Sequence, residues 1–408
     1  MRRWISWIGL FGLVAGVLAT WLVVHVGEAS FRYPEGAHRF GRLRYVKSVP
    51  ILEVWGEPEQ IGQAVARLGV LPAERLRQYP RELFFGVMPR FIPQDWQMQA
   101  WQEVLAAGER LINNFPERYK REYEALKKHV PEHWHEGLLA GNTLFDIKRI
   151  VHCSAVIVES PSHSKDGRNS STLLMGRNLD FPTLGYLHQY GLVLIYRPNN
   201  RYAFAAVGFP GMIGVLSGVN EHGLCIAMLE VYETGDGSPA FNPQGVPYAI
   251  CVRRLLEECR DVTEARRLLS QMPRTCYFNL AVCDTKTGGI FEVSPQQICY
   301  RGLERGLCAC TNMFLSEPLQ VKDGKNWYRS RERLAELLRL REETAVGVQE
   351  VHRALHRANL GAVTLQTMIF EPQTLRLHLA MGSCPASALP LVCLELRDWL
   401  KPASEARW

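Results

Sequence analysis

Apolar positions change their rhythm twice along this chain. From Trp4 to about Val26 they run almost uninterrupted behind Arg2 and Arg3. A bilayer-spanning helix needs about 20 such residues, whereas the apolar heart of a secretory signal is only about 7–15 long. The two arginines hold the N-terminus in the cytoplasm by the positive-inside rule. Residues 1–27 are therefore predicted to be a transmembrane signal-anchor, which places everything after Gly27 outside the cytoplasm. The small residues Gly27 and Ala29 of "GEAS" leave signal cleavage and secretion as the alternative.

Residues 28–48 show no clear period and read as a linker. "VPILEVWG" reads as a short strand, and "EPEQIGQAVARLG" as a helix closed by glycine. Across 97–129, in "MQAWQEVLAAGERLINNF" and "ERYKREYEALKKHV", apolar residues return every three or four positions, the mark of an amphipathic helix. The section 28–152 is thus predicted to be a linker followed by a mainly helical chain.

At Cys153 the period shortens. "CSAVIVE", "STLLMGRNLD", "GLVLIYRP", "YAFAAVGF" and "GLCIAMLEV" read as strands separated by turn residues. Two helices follow, "PYAICVRRLLEECR" and "VTEARRLLSQM", the second opened by an Asp/Thr N-cap. "YFNLAVCD", "GIFEVS" and "GLCACTN" return to strand. Helices "YRSRERLAELLRL" and "AVGVQEVHRALHR" come next, and strands "LQTMIFEP" and "LRLHLAMG" close the pattern. Strands and helices in blocks, without strict alternation, define an α+β fold of antiparallel sheets layered with helices. The expectation is a four-layer α-β-β-α sandwich over residues 153–408.

Composition narrows the partners. The 408 residues are 47% hydrophobic, 22% charged and 10% aromatic, as in one large or two ordinary globular domains. A net charge of +6 is spread thinly. Basic runs such as "RERLAELLRLR" have helical spacing and read as a solvated face, so no nucleic-acid partner is expected. All eleven cysteines lie at or beyond position 153. An exported chain could pair ten of them, although several sit within apparent strands where buried thiols fit equally well. No C-x-x-C occurs, and His133 and His135 of "HWH" lack further ligands at metal spacing. No metal or cofactor is expected.

The candidate chemistry starts in "IVHCSAVIVES". Cys153 is either a small buried hydrophobe or a nucleophile at a sheet edge. "MGRNLDFP" places Arg177 and Asp180 just after the second strand, and a hairpin would return them to the end of the first, flanking the thiol. A thiol with a reference pKa near about 8.5 gains reactivity from a nearby cation. The competing reading is a surface Arg–Asp pair at a strand end. No separate histidine stands in a catalytic motif, which disfavours a papain-like protease, and His152 on a strand points away from its neighbour. Cleavage between His152 and Cys153 would solve this, because the freed α-amine, with a pKa of about 7.7–8.0, can serve as base for its own thiol.

Several segments, in order, resemble the N-terminal nucleophile hydrolases of the acid ceramidase and choloylglycine hydrolase superfamily, in particular the autoproteolytic isopenicillin N acyltransferase-like branch. They are "VPILEVWGEPEQIGQAVARLG", "CSAVIVE…GRNLDF", "GMIGVLSGVNEHGLCIAML" and "TNMF", and the likeness extends over residues 48 to about 383. The resemblance implies that Cys153 is the nucleophile with its own amine as base. It implies that Arg177 and Asp180 hold the amine and the substrate amide, and that Asn312 donates to the oxyanion. A family arginine on the following helix matches one of Arg329, Arg331 and Arg333, with Arg333 favoured by "SRER". Two departures stand out. The connection "SPSHSKDGRNSS" is long, and Glu230 replaces an oxyanion-binding asparagine found in relatives, where a carboxylate would repel the oxyanion.

The resemblance implies an enzyme that cuts itself before Cys153 and hydrolyses linear C–N bonds of small N-acyl amides through an acyl-thioester, and the apolar run behind Arg2 and Arg3 implies that it is membrane-anchored. The two cleaved chains would stay associated. Acyl transfer to an amine is one alternative. A catalytically dead, membrane-tethered scaffold is another, supported by Glu230. Phe181, Tyr186 and Phe209 would suit an apolar acyl chain, and suit a plain core better.

Overall fold

Residues 30–147, 151–163 and 169–401 are described by the computed structural model of the chain. The signal-anchor expected over 1–27 lies outside them. Among the described residues no helix is long and apolar enough to cross a membrane.

The stretch expected as a linker over 28–48 carries structure. It holds β1 (Gly36–His38) and β2 (Gly41–Val46), which pair antiparallel with each other and then with β3 (Val49–Gly56). The departure has a simple cause. β2 buries Gly41 and Leu43 and exposes Arg42 between them, and so short an alternation is invisible without its partner strand. Helices α1 (Pro58–Val65), α2 (Tyr79–Gly86), α3 (Gln94–Asn113), α4 (Glu117–Lys128) and α5 (His135–Ile147) follow. Gln60 accepts the Glu57 N–H at 2.8 Å to start α1. A Cβ at Gly62 would run into the Glu122 carbonyl, so this glycine lets α4 approach α1 closely.

The later section contains β4 (His152–His163), β5 (Asn169–Asp180), β6 (Leu192–Pro198), β7 (Phe204–Gly208), β8 (Ser217–Asn220) and β9 (Cys225–Glu230). Helices α6 (Tyr248–Glu258) and α7 (Val262–Gln271) come next, then β10 (Phe278–Cys283), β11 (Gly288–Val293), β12 (Ile298–Gly302) and β13 (Leu307–Cys310). Helices α8 (Ser330–Leu338) and α9 (Val348–Arg357) precede β14 (Thr364–Glu371), β15 (Arg376–Met381) and β16 (Val392–Glu395). Asp261 caps α7 by accepting the Glu264 N–H at 2.9 Å. The short strands β8, β12 and β16 have no counterpart in the sequence reading.

Two sheets result, in the orders β1-β2-β3-β6-β7-β8-β9-β10-β11-β12 and β13-β4-β5-β14-β15-β16. Their facing sides share one apolar core that includes Cys153, Ala155, Ile157 and Met175 of the smaller sheet and Cys225, Ala227, Ala281 and Cys283 of the larger. Alternate residues of β4 and β5 face the other way. Val156, Val158 and Leu174 pack against Leu337, Val351 and Leu355 of α8 and α9, as the two-residue strand period requires. Gly176 makes this approach possible, since a Cβ there would strike Val351. Helix α6 covers β8 and β9 on the far side of the larger sheet. The order across the molecule is helix, sheet, sheet, helix.

The N-terminal section is built into this frame. β3 runs parallel to β6, from Ile51↔Val193 to Gly56↔Pro198. Three strands of the larger sheet therefore come from before Cys153; β3 had been expected from "VPILEVWG", whereas β1 and β2 fall where a linker had been expected.

Candidate active site

The β4–β5 hairpin pairs His152 with Asp180, Cys153 with Leu179 and Ala155 with Arg177. Arg177 thus shares the inner face of the sheet with Cys153. Its Nη2 donates to Cys153 Sγ at 3.0 Å, and its Nη1 donates to the Leu216 carbonyl at 2.9 Å and to the Ser217 hydroxyl. Asp180, three residues on, belongs to the opposite face. Its Oδ1 accepts from Thr364 Oγ1 at 2.5 Å, and its Oδ2 lies 3.7 Å from Arg333 Nη1. The thiol itself is wholly buried.

Of the three candidate arginines, Arg329 and Arg331 are exposed, whereas Arg333 is buried in the site. Arg333 Nη1 donates to the Cys153 carbonyl at 2.5 Å and Nη2 to Asn312 Oδ1 at 2.7 Å. Its Nε donates to the Tyr328 carbonyl at 2.9 Å. Asn312 Oδ1 also accepts the Cys153 N–H at 3.1 Å. Asn312 Nδ2 donates to the Glu230 carbonyl at 2.8 Å and, more weakly, to the Val151 carbonyl at 3.4 Å. The turn that carries Asn312 is held by Asn279 of β10, whose Nδ2 donates to the Thr311 and Met313 carbonyls, each at 2.9 Å. Sequence reasoning missed Asn279; an amide side chain inside the apolar run "YFNLAVCD" was its only signal.

Burial dominates the electrostatics. It pushes the Cys153 thiol up, opposed by the Arg177 guanidinium and reinforced by the Asp180 charge. The Asp180 carboxyl is raised to about 6 by burial, with Arg333, Thr364 and Arg177 pulling the other way. Burial also lowers Arg333. It holds His152 well below the ordinary imidazole value, with Arg333 adding to the effect, which favours the uncharged ring. Arg177 Nε and Asp180 Oδ2 have no hydrogen-bond partner among the described residues.

Glu230 does not aim a bare carboxylate at the thiol. Its Oε2 accepts the Val151 N–H at 2.8 Å and its Oε1 accepts the Tyr248 hydroxyl at 2.9 Å. The Tyr232 hydroxyl donates to the Val151 carbonyl at 2.9 Å and lies 2.6 Å from His152 Nδ1. The His152 ring stacks on Tyr328, with centroids 3.2 Å apart. Tyr328 and Arg329 both have left-handed backbones, with φ of 49° and 56°. Such strain persists only where surrounding contacts fix it, and the Arg333 bond to the Tyr328 carbonyl is one of them. Tyr232, Tyr248 and Tyr328 were not singled out from the sequence. Tyr232 stood two residues beyond Glu230 in "AMLEVYE".

An apolar cavity adjoins the hairpin, lined by Val151, Leu179, Phe181, Leu216, Phe209 and Tyr79 among others. Phe181 and Phe209 are buried on its wall, while Tyr186 is buried and donates to Glu82 Oε2 at 2.6 Å. None of the eleven cysteines, all among the described residues, is in a disulfide. Among the described residues no three His, Cys, Asp or Glu side chains are grouped to hold a metal ion.

These features, a cysteine on a hairpin strand between stacked sheets with two arginines, an aspartate and an asparagine around it, define the N-terminal nucleophile hydrolase class. A family model for acyl-coenzyme A:6-aminopenicillanic acid acyl-transferase matches residues 166–383. The chain belongs to this family. The match includes Arg177, Asp180, Asn312 and Arg333 and begins after Cys153. Among curated proteins the chain is similar to Protein dcd1B of Dictyostelium discoideum, 28% identical over 127 residues, which are 30% of this chain and 24% of that protein. The likeness thus spans about a quarter of that relative's length.

Among solved structures, a mutant of the conjugated bile acid hydrolase of Clostridium perfringens matches with a TM-score of 0.42 at 14% identity. The match covers 61% of this chain and 94% of that one. The Caenorhabditis elegans N-acylethanolamine-hydrolyzing acid amidase ortholog matches at 0.38 and 17%, over 54% and 93%. Penicillin V acylase of Agrobacterium tumefaciens matches at 0.33 and 12%, over 60% and 78%. At these TM-scores the likenesses are distant.

Proposed function

We propose that the chain is a self-processing cysteine amidase, which cuts itself between His152 and Cys153 and then hydrolyses linear amide bonds of N-acyl amides. The carrying observation is Arg177 Nη2 at 3.0 Å from a buried Cys153 Sγ whose own N–H is held by Asn312. In processing, Sγ adds to the His152 carbonyl carbon, the C–N bond breaks, and the thiol proton passes to the departing nitrogen. The products are a thioester on Sγ and a free α-amine; water then releases the chain ending at His152. In turnover, the amine takes the thiol proton, Sγ adds to the substrate carbonyl, and the leaving amine receives that proton. Water, with the α-amine as base, cleaves the thioester. Asn312 Nδ2, aimed at carbonyl oxygens beside the thiol, is the oxyanion donor, and preorganised donors of this kind contribute about 3–4 kcal/mol to lowering the barrier. Arg333 and Asp180 orient Asn312 and the new amine.

Acyl transfer to an amine would use the same thioester. A dead scaffold gains less support from Glu230, because its carboxylate is already occupied by Val151 and Tyr248. The cleaved chains are expected to remain together through the β3–β6 pairing. Intact-mass analysis tests the proposal. Wild-type protein should give a fragment beginning at Cys153, and Cys153→Ala a single uncut chain; cleavage of the variant at the same bond would refute self-processing. An extracytoplasmic location, expected from Arg2, Arg3 and the apolar run, is tested by a reporter active only after export, fused after Trp408. Activity of a cytoplasmic reporter there instead would refute it.

A further inference from the structure

Self-processing and turnover pass through the same kind of species, an acyl group on Cys153 Sγ. In processing that group is the end of the chain, Val151 followed by His152. The protein around it therefore offers an image of an acyl group that the site can hold.

Those contacts exceed what a connecting segment needs. Both polar groups of the Val151 residue are engaged, its N–H by Glu230 Oε2 at 2.8 Å and its carbonyl by the Tyr232 hydroxyl at 2.9 Å. The Val151 side chain lies on the wall of the apolar cavity, beside Leu179, Phe181 and Leu216. The His152 ring lies flat on Tyr328, with the Tyr232 hydroxyl at its Nδ1. Glu230, Tyr232, Tyr248 and Tyr328 all follow Cys153, so they remain when the preceding chain end departs. Once it has departed, the Glu230 carboxylate, buried against Tyr248, loses one of its donors. A peptidyl acyl group can place an N–H where that of Val151 meets Glu230 Oε2, and a plain hydrocarbon acyl chain cannot, so a site built around this hydrogen bond favours the first.

We infer that the mature site takes a peptidyl acyl group. Its residue at the scissile carbonyl carries a flat aromatic or imidazole side chain, which rests on Tyr328. A second, small apolar residue follows, with its side chain in the cavity and its N–H, as amide or ammonium, on Glu230. The inference rests on Cys153 being the nucleophile of a mature amidase.

The test uses the cleaved wild-type protein and three p-nitroanilides: acetyl-valyl-histidyl, 3-methylbutanoyl-histidyl and hexanoyl. The second keeps the valine side chain and lacks the N–H meant for Glu230. The expected order of kcat/KM is the order given, with a fall of about 10²-fold from the first to the second. In Glu230→Leu that gap should close. Should this variant fail to fold or process, the wild-type comparison still decides, and valyl-histidyl p-nitroanilide, with its free ammonium, should match or exceed the acetylated compound. Equal rates with and without the N–H, or a preference for hexanoyl, overturn the peptidyl inference and leave the amidase standing. Hydrolysis of none of these amides by correctly cleaved protein overturns both.

Discussion

Arg177 and Arg253 are both wholly buried, and their surroundings differ. Arg253 of α6 has every nitrogen matched. Nη1 and Nη2 donate to Glu122 at 2.8 and 2.6 Å, Nε donates to Glu257 at 2.9 Å, and Nη1 also reaches the Ile213 carbonyl at 2.7 Å. Tyr119 and Tyr196 wall the guanidinium, at 4.9 and 4.6 Å. Burial works against its charge, but Glu122 and Glu257 outweigh that and hold Arg253 well above its ordinary value. Arg177 faces a thiol where Arg253 faces carboxylates, and its Nε is unmatched among the described residues. A saturated guanidinium fixes structure. An unsaturated one keeps capacity for charge that appears only when the thiol ionises, which is what preorganised electrostatic catalysis needs.

The largest test removes the partner of the saturated arginine. Glu122→Leu leaves Arg253 short of a counter-charge and should cost about 3–5 kcal/mol in denaturant unfolding. Because Glu122 precedes Cys153 and Arg253 follows it, the cleaved chains should also separate at lower denaturant. If chain association is unchanged, the Arg253 cluster is not what joins them.

Asn312→Ala, on the reactive side, should lower kcat of the mature enzyme by about 10²–10³-fold with little change in KM. Stability should change far less than in Glu122→Leu. A comparable loss of stability would erase the contrast between the clusters.

Asp180 sharpens it through pH. Its carboxyl titrates at about 6 in the folded protein, above the ordinary value of 3.8. The protonated form is favoured by folding, so this stabilisation is complete below the ordinary value and is lost as pH rises through about 6. The linkage amounts to about 3 kcal/mol. Asp180→Asn should flatten the fall in Tm between pH 4 and pH 7; an unchanged profile would show that another group carries it.

The smallest effect is expected from Asp261→Ala. It removes the α7 cap and should lower stability by about 1 kcal/mol without altering the cleavage rate. A change in that rate would mean that α7 communicates with the site.

Local pattern determined a good deal of this protein. The β4–β5 hairpin, with Cys153 opening one strand and Arg177 and Asp180 near the end of the other, was legible because strand alternation and turn residues are properties of neighbours. The same holds for β3, α1, α3, α4, α6 and α7. Two links escaped it. β1 and β2 depend on a pairing with β3, and β8, β12 and β16, of four, five and four residues, are too short for their own period to register. Proximity across long separations escaped as well. Glu122 meets Arg253 across 131 positions, and Asn312 meets Cys153 across 159.

The sequence favoured Arg333 over Arg329 and Arg331 only through "SRER"; the tertiary structure buries the Arg333 side chain and leaves the other two in solvent. It alone set the direction of Glu230. A carboxylate at the end of β9 was predicted to disturb an oxyanion, yet the Tyr248 hydroxyl from α6 and the Val151 N–H draw it to the acyl side of the thiol. Composition and spacing can name a charged residue near a nucleophile. Where its charge points is decided by the hydrogen-bond partners that distant segments bring to it, and those exist only once the chain has folded.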